Sequence, residues 1–366
     1  GNRIAIDART VRQDIMWEAM CADPSVQLKY ASKYAGSANG WKKWQGEELA
    51  FENLNIIGRE KAKEADFTNW MNARKKRQEA YGGAIEQIAL AVQDNAHGTE
   101  VLTLLTETLA TIERLDPRAA ESKDYNPAVD RKIAKAMIGH YLANVAPSDR
   151  IDVSDSDEYL DRLYSDTTEV SALRERMMSK LMAVVPDIRE GQGRIAEGSR
   201  RFTAGLLDWE KGKASYPDAN FTMRLTYGSV MPYSPRDGVS YWYYTTTAGV
   251  LEKENPSDYE FRVPARVKEL ALAKDFGQYA DADGTLHTCF LTNNDITGGN
   301  SGSPVLDADG SLIGLAFDGN WESMSSDVMF EPDLQRCICV DIRYVLFMLD
   351  KFGGAGWLLN EMNIVR

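Results

Sequence analysis

Residues 298–305 read Gly-Gly-Asn-Ser-Gly-Ser-Pro-Val, a spacing that suits a nucleophile. Gly302 comes directly after Ser301 and Gly299 stands two positions before it, so the hydroxyl can be lifted clear of the backbone through a turn that bulkier residues resist. Such a turn aims successive N–H groups at one point, where the oxyanion of a tetrahedral intermediate would form. The chemistry implied is acyl transfer. After Ser301 the chain continues through Ser303-Pro304-Val305 into a strand, unlike the strand–turn–helix elbow of the G-x-S-x-G hydrolases. Octets rich in Gly and Ser are also ordinary loops. This one gains weight from its downstream context, an Asp309-Gly310 hairpin turn and then the run Leu-Ile-Gly-Leu-Ala-Phe-Asp-Gly ending at Gly319.

The elements around this loop have a period of two. From Tyr216-Pro217 onward, Phe221, Met223, Leu225 and Tyr227 alternate with Thr222, Arg224 and Thr226, as a half-buried strand requires. Further strands are predicted at Tyr241 to Thr247, His287 to Thr292, Pro304 to Leu306, Leu312 to Phe317 and Cys337 to Val340. Many short strands joined by Gly, Asp and Pro turns point to a barrel or sandwich. The tail from Asp341 to Asn363 returns to helical spacing.

From about Asp7 to Lys213 the period is helical. Val101, Leu105, Leu109 and Ile112 form one apolar stripe, and Ile133, Met137, Tyr141 and Val145 form another. Pro24, Pro117, Pro127, Pro147 and Pro186, with Gly82-Gly83 and the Gly191-Gln-Gly193 stretch, are expected to divide this run into helices of ordinary length. The charged stretch Arg59 to Arg77 reads as a solvated helix face. The aromatic segment Tyr30 to Trp44, with Tyr34 and Trp41, reads as helix–helix packing in preference to a ligand groove.

The expected fold is therefore α+β and multidomain: a helical bundle over 1–214, a β domain with the nucleophile over 215–340, and a C-terminal helix over 341–366. A chain of 366 residues is long enough for two or three such domains. Its formal net charge of −13, with no basic block, argues against nucleic acid as a partner. The longest apolar runs, such as Tyr344 to Leu349, fall short of the roughly 20 residues that cross a bilayer, and Gly1 opens no signal segment, so a soluble mature or internal piece is expected. Cys21, Cys289, Cys337 and Cys339 are compatible with one or two disulfides or with buried thiols. Cys337 and Cys339 share one strand face but have neither C-x-x-C spacing nor a nearby histidine, so no metal is expected, and no cofactor.

Several segments carry a family resemblance. Thr297 to Asp318, Tyr216 to Gly228 and Val340 to Phe352 resemble the bacterial dipeptidyl peptidases of the type 7 and type 11 group, and Tyr30 to Trp44 resembles the helical domain of that family. The resemblance extends over essentially the whole chain but only the C-terminal half of a family member. It implies a chymotrypsin-like double barrel interrupted by a large helical domain, of which this chain would hold the second β-barrel. It further implies an enzyme that removes dipeptides from free peptide N-termini in the periplasm or at the cell surface.

Carried over by position, Ser301 matches the nucleophile, and the amides of Gly299 and Ser301 match the oxyanion hole. Asp318 matches an acid that helps to hold the substrate's α-ammonium group. Gly319, with Phe317 beside it, falls at the specificity pocket, where the glycine form of the family accepts apolar side chains and the arginine form acidic ones. Asn300 stands where zymogen-type peptidases carry an aspartate, which implies an oxyanion hole that forms without such activation.

The histidine and aspartate of the triad would lie upstream of Gly1 in this family. His97 and His140 belong to the helical half, and His287 sits in no recognisable motif, so all three read as packed or solvated. The chain is thus expected to be incomplete and inactive alone, with the N-terminal half of the same enzyme as its partner, a possible homodimer, and peptides as substrates. A trypsin-like endopeptidase and a noncatalytic peptide-binding scaffold are the alternatives. Asp318 separates the first of these, since an endopeptidase gains nothing from an anion facing a free amine.

Overall fold

The computed structural model describes residues 2–153, 157–213, 215–217, 222–258 and 261–365. The chain divides into two compact units, one of Gly1–Gln45 with Ile57–Ser215 and one of Gly46–Ile56 with Tyr216–Arg366. Among the described residues no helix is long and apolar enough to cross a membrane.

Helices dominate the N-terminal part of the chain: α1 (Asn2–Ala22), α2 (Pro24–Asn53), α3 (Ile56–Asn72), α4 (Lys75–Tyr81), α5 (Ala84–Ile112), α6 (Pro127–Asn144), α7 (Asp157–Leu163) and α8 (Thr167–Trp209). Proline starts α2 and α6, where a missing N–H costs nothing, and Asn126 caps α6 by accepting from the amides of Ala128 and Val129. Both predicted apolar stripes are buried. Val101, Leu105, Leu109 and Ile112 of α5 meet Ile133, Met137 and Tyr141 of α6 in one core.

Pro186 and Gly191 do not end a helix as expected: α8 runs through both for 43 residues. Proline forfeits one backbone bond, but packing continues on either side of it, with Met177 and Ile188 both buried. The glycines serve close approach. A Cβ at Gly191 would lie 2.8 Å from Asn95 Cγ, one at Gly198 would lie 2.7 Å from Ile88 Cγ1, and one at Gly205 would lie 2.6 Å from Phe67 Cζ. Glycine at every second turn thus lays α8 directly on its neighbours.

The aromatic segment of α2 packs as expected. Tyr30 is fully buried and donates to Asp130 at 2.7 Å, Trp41 Nε1 donates to Thr10 Oγ1 at 2.9 Å, and the Arg9 guanidinium lies 4.0 Å from the Trp44 ring centroid. Asp130 is a buried carboxylate and is paired by Arg114 Nε at 2.6 Å, which offsets its desolvation.

In the second unit a hairpin, β1 (Tyr233–Arg236) and β2 (Val239–Tyr241), precedes β3 (Tyr244–Thr246), α9 (Thr247–Glu252), α10 (Ala265–Leu272), β4 (His287–Thr292), β5 (Pro304–Leu306), β6 (Leu312–Gly319), β7 (Cys337–Asp341) and α11 (Ile342–Phe347). The larger sheet is antiparallel in the order β3-β4-β7-β6-β5. Gly314 of β6 lets the Phe290 ring cross the sheet, since a Cβ there would sit 2.7 Å from Phe290 Cε1. Cys337 and Cys339 are both buried on one face with their sulfurs 3.7 Å apart, and all four cysteines are free. The hydrogen bond from Cys337, together with burial, pushes the Cys339 thiol well up.

Two expectations for this unit fail among the described residues. The sheet is open, with β3 and β5 as its edges, so it is not a closed barrel. The alternating run that opens the domain forms no strand over 222–229; Phe221 lies outside the described residues. Met223, Leu225 and Tyr227 are 101%, 91% and 89% exposed, because no neighbouring strand covers them. Alternation specifies one buried face but cannot supply the surface that buries it.

Candidate functional site

The loop that bears Ser301 hangs from β6 by two backbone bonds. Gly302 N donates to Ala316 O at 2.7 Å, and Ala316 N donates to Ser303 O at 2.9 Å. Upstream the loop closes on itself: Asn300 N donates to Thr297 O at 3.2 Å, Asn300 Oδ1 accepts from Thr297 N at 3.1 Å, and Thr297 Oγ1 donates to Asp327 at 2.8 Å. Gly299 at φ +104° and Gly302 at φ +84° supply the left-handed backbone that the turn needs on both sides of the serine. With Asn300, Gly302 and Ser303 donating to Thr297, Ala316 and Asn300, the amides of Gly299 and Ser301 are left uncommitted to the backbone of the loop. Ser301 is exposed.

A bulge in β6 completes the site. Ala316 pairs with Cys339 and Asp318 with Ile338, so Phe317 has no residue opposite it. A bulge leaves one residue out of the ladder and turns its groups aside. The carbonyl of Phe317 accepts from Ser301 Oγ at 3.2 Å. The Phe317 side chain is exposed.

Beyond the bulge come the two residues expected to meet substrate. Asp318 is exposed, and its Oδ1 accepts from the Gly319 amide at 2.8 Å. Gly319 ends β6 opposite Cys337, and a Cβ at that position would lie 2.8 Å from Ser323 Cβ and 3.9 Å from the Arg336 carbonyl. Ser301, Phe317, Asp318 and Gly319 are thereby joined through one strand and the loop suspended from it. The guanidinium of Arg336, almost wholly buried, holds this end of the unit by donating to the carbonyls of Pro232, Pro332, Asp333 and Gln335, and burial lowers its pKa.

Among the described residues, the hydrogen bonds of the three histidines go to partners other than Ser301. His287 stacks on Tyr244 at 3.7 Å between ring centroids, with Nδ1 3.2 Å from Arg343 Nη2. Arg343 also binds Asp281 and Asp341, and it holds the Asp281 carboxyl below its usual range. His97 pairs with Asp149 at 2.8 Å and His140 lies beside Asn144, both in the helical unit. The hydrogen-bond hub at Asn320, immediately after Gly319, has no signal in the sequence, since an Asn in a loop carries no pattern that distinguishes it.

A family model described as Peptidase S46 matches residues 1–115 and 106–364. Dipeptidyl-peptidase 7 of Porphyromonas gingivalis is 38% identical over the whole chain, which covers 59% of that protein. The Asp/Glu-specific dipeptidyl-peptidase of the same organism is 34% identical over the whole chain, again with 59% of its length covered. Among solved structures, that of Porphyromonas endodontalis DPP11 in complex with the dipeptide Arg-Glu has a TM-score of 0.83 at 29% identity, covering 98% of this chain and 60% of that one. The chain therefore spans about three fifths of the length of these relatives.

Proposed function

From the premise that this chain belongs to the peptidase S46 family, we propose that it carries the nucleophile, oxyanion donors and substrate wall of a serine dipeptidyl aminopeptidase. One observation carries the reading: Ser301 sits exposed on a glycine turn whose Gly299 and Ser301 amides make no backbone hydrogen bond among the described residues, beside a bulge that presents Asp318 and Gly319. In this reading Ser301 attacks the scissile carbonyl, the two amides receive the oxyanion, and Asp318 takes the substrate's α-ammonium. Hydrolysis then proceeds through an acyl-serine that water resolves.

A serine hydroxyl needs a base, and in this reading the triad's His and Asp belong to residues outside this chain, upstream or on another polypeptide. The chain would thus be the C-terminal part of an enzyme that acts in the periplasm or at the cell surface. Its relatives include proteins named Asp/Glu-specific. In this reading Gly319 favours an apolar residue before the cleaved bond, because it supplies no cation and an unpaired carboxylate is costly to desolvate.

The open sheet is read as the second barrel of a chymotrypsin-like fold that lacks one strand. Residues 229–231 already bind the end of β4, with Val230 opposite Thr292 and Met231 N donating to Leu291 O at 3.2 Å. A cavity of about 930 Å³ lined by Tyr244, Phe290, Leu312 and Ile313 has room for the apolar residues of 222–229. Closing the sheet there would bury Met223, Leu225 and Tyr227.

The test is Ser301→Ala in the full-length protein, assayed on dipeptidyl-coumarin substrates with a free amine. Turnover should fall by about 10⁴–10⁶, as in other triad knockouts, with the fold retained. Retention of more than a small fraction of turnover would rule out Ser301 as nucleophile.

A further inference from the structure

Asn320 comes directly after Asp318 and Gly319, and it is 5% exposed. Its side-chain Nδ2 donates to Glu322 Oε2 at 2.9 Å and to Leu334 O at 2.8 Å, while Oδ1 accepts from Arg336 N at 2.8 Å and from Ser323 Oγ at 2.5 Å. Its backbone N donates to Arg336 O, and its carbonyl accepts from Ser323 N, each at 2.9 Å. Both donors and both acceptor positions of the amide are filled. β6 ends at Gly319, and after it only the Asn320 N to Arg336 O bond continues the pairing with the β7 side. Asn320 replaces the ladder with side-chain bonds to the segment that precedes β7.

The same bonds set what faces Gly319. Ser323 N donates to Asn320 O and Ser323 Oγ to Asn320 Oδ1, so Asn320 holds both the backbone that sets the Ser323 Cβ and the rotamer of its hydroxyl, and that Cβ lies in the space that a residue other than glycine at 319 would need. Asp318 is tied to the wall in turn through the Gly319 amide. A fully satisfied buried amide admits one geometry, and the positions of Asp318 and Gly319 depend on it.

We infer that Asn320 is a positioning residue for substrate binding, which fixes the Asp318–Gly319 wall through Ser323 and Arg336 without touching substrate itself. The inference rests on the proposed roles of Asp318 and Gly319. A purely structural Asn320 would lower stability alone. A positioning Asn320 acts on the grip of the substrate's amine end, and leaves the reactivity of Ser301 close to that of wild type, because the nucleophile loop is held by Ala316, before the bulge, and meets the bulge itself only through the Phe317 carbonyl.

The experiment compares wild type, Asn320→Ala and Ser323→Ala in the full-length protein. KM and kcat are measured on free-amine dipeptidyl-coumarins, and the second-order rate of Ser301 labelling by a small fluorophosphonate is measured beside them. Asn320→Ala should raise KM about tenfold or more, since small misplacements of a binding wall are costly, while kcat and the labelling rate stay within about threefold of wild type. Ser323→Ala keeps its Cβ and loses only its hydroxyl bonds, so KM should rise about threefold, the worth of a modest hydrogen bond. It carries the test by the same criterion should Asn320→Ala not fold. An unchanged KM, or a labelling rate that falls in step with the rise in KM, overturns the inference. Failure of the underlying reading looks different: Ser301→Ala would keep its turnover.

Discussion

Ser301 Oγ donates its hydrogen bond to the carbonyl of Phe317, 3.2 Å away and 16 residues along the chain. An amide oxygen accepts a hydrogen bond but does not take a proton at neutral pH, so this contact orients the hydroxyl without activating it. The geometry exists because Phe317 is the unopposed residue of the β6 bulge. A base that reaches Ser301 has to draw the hydroxyl away from that carbonyl.

Asp318 should matter only to substrates with a free amine. It is exposed in this structure, so Asp318→Ala is expected at the lower end of the range for a broken charge pair, about 2 kcal/mol or roughly thirtyfold in kcat/KM. N-acylated peptides, which are poor substrates from the outset, should lose little. Equal losses on acylated and free peptides would make Asp318 a structural residue.

Gly319→Arg should turn preference towards Asp or Glu before the cleaved bond, because a guanidinium both fills apolar space and pairs with a carboxylate. The new Cβ meets Ser323 Cβ at 2.8 Å, however, so the variant should also lose stability, by about 1–3 kcal/mol as overpacked sites do. Adding Ser323→Gly removes that clash together with the hydroxyl bonds to Asn320 and Arg336, so it should recover the melting temperature only in part while the switched preference is kept. Paired coumarin substrates that differ in that one residue supply the assay. A wild type that already prefers Asp or Glu would remove Gly319 from the pocket wall.

In the helical unit, two Gly→Ala changes on α8 should have opposite signs. An added methyl at Gly193 would have no atom within 4 Å, so Gly193→Ala should stabilise by about 0.5–1 kcal/mol through helix propensity. At Gly205 the same methyl meets the buried Phe67 ring at 2.6 Å, and there Gly205→Ala should destabilise by about 1–3 kcal/mol. Chemical denaturation of both variants decides it, and a stabilised Gly205→Ala would mean that close approach does not account for that glycine.

Each pattern in the sequence is legible only as far as the physics it encodes. His287 to Thr292 and Cys337 to Val340 can be read as strands because each lies within a sheet whose two faces differ, and period two records that difference. The same period misleads at Met223 to Tyr227, where the covering surface is absent from the described residues. Pro186 and Gly191 carry their usual meaning as breaks, yet tertiary contact with Asn95 and burial of Ile188 override it. Ser301 is visible through its glycines. The bulge at Phe317 and the bonds of Asn320 are not, since both depend on pairing with residues on β7 and just before it.

If Ser301 is a nucleophile whose base comes from outside this chain, site-resolved fluorophosphonate labelling shows it most directly. The full-length protein and the chain of residues 1–366 are each treated with the probe, digested, and the modified peptide is located by mass. Stoichiometric modification of Ser301 is expected in the full-length protein and essentially none in the shorter chain, because an unassisted serine hydroxyl is a poor nucleophile at neutral pH. Stoichiometric labelling of Ser301 in residues 1–366 alone, or labelling of the full-length protein at another serine, would contradict it.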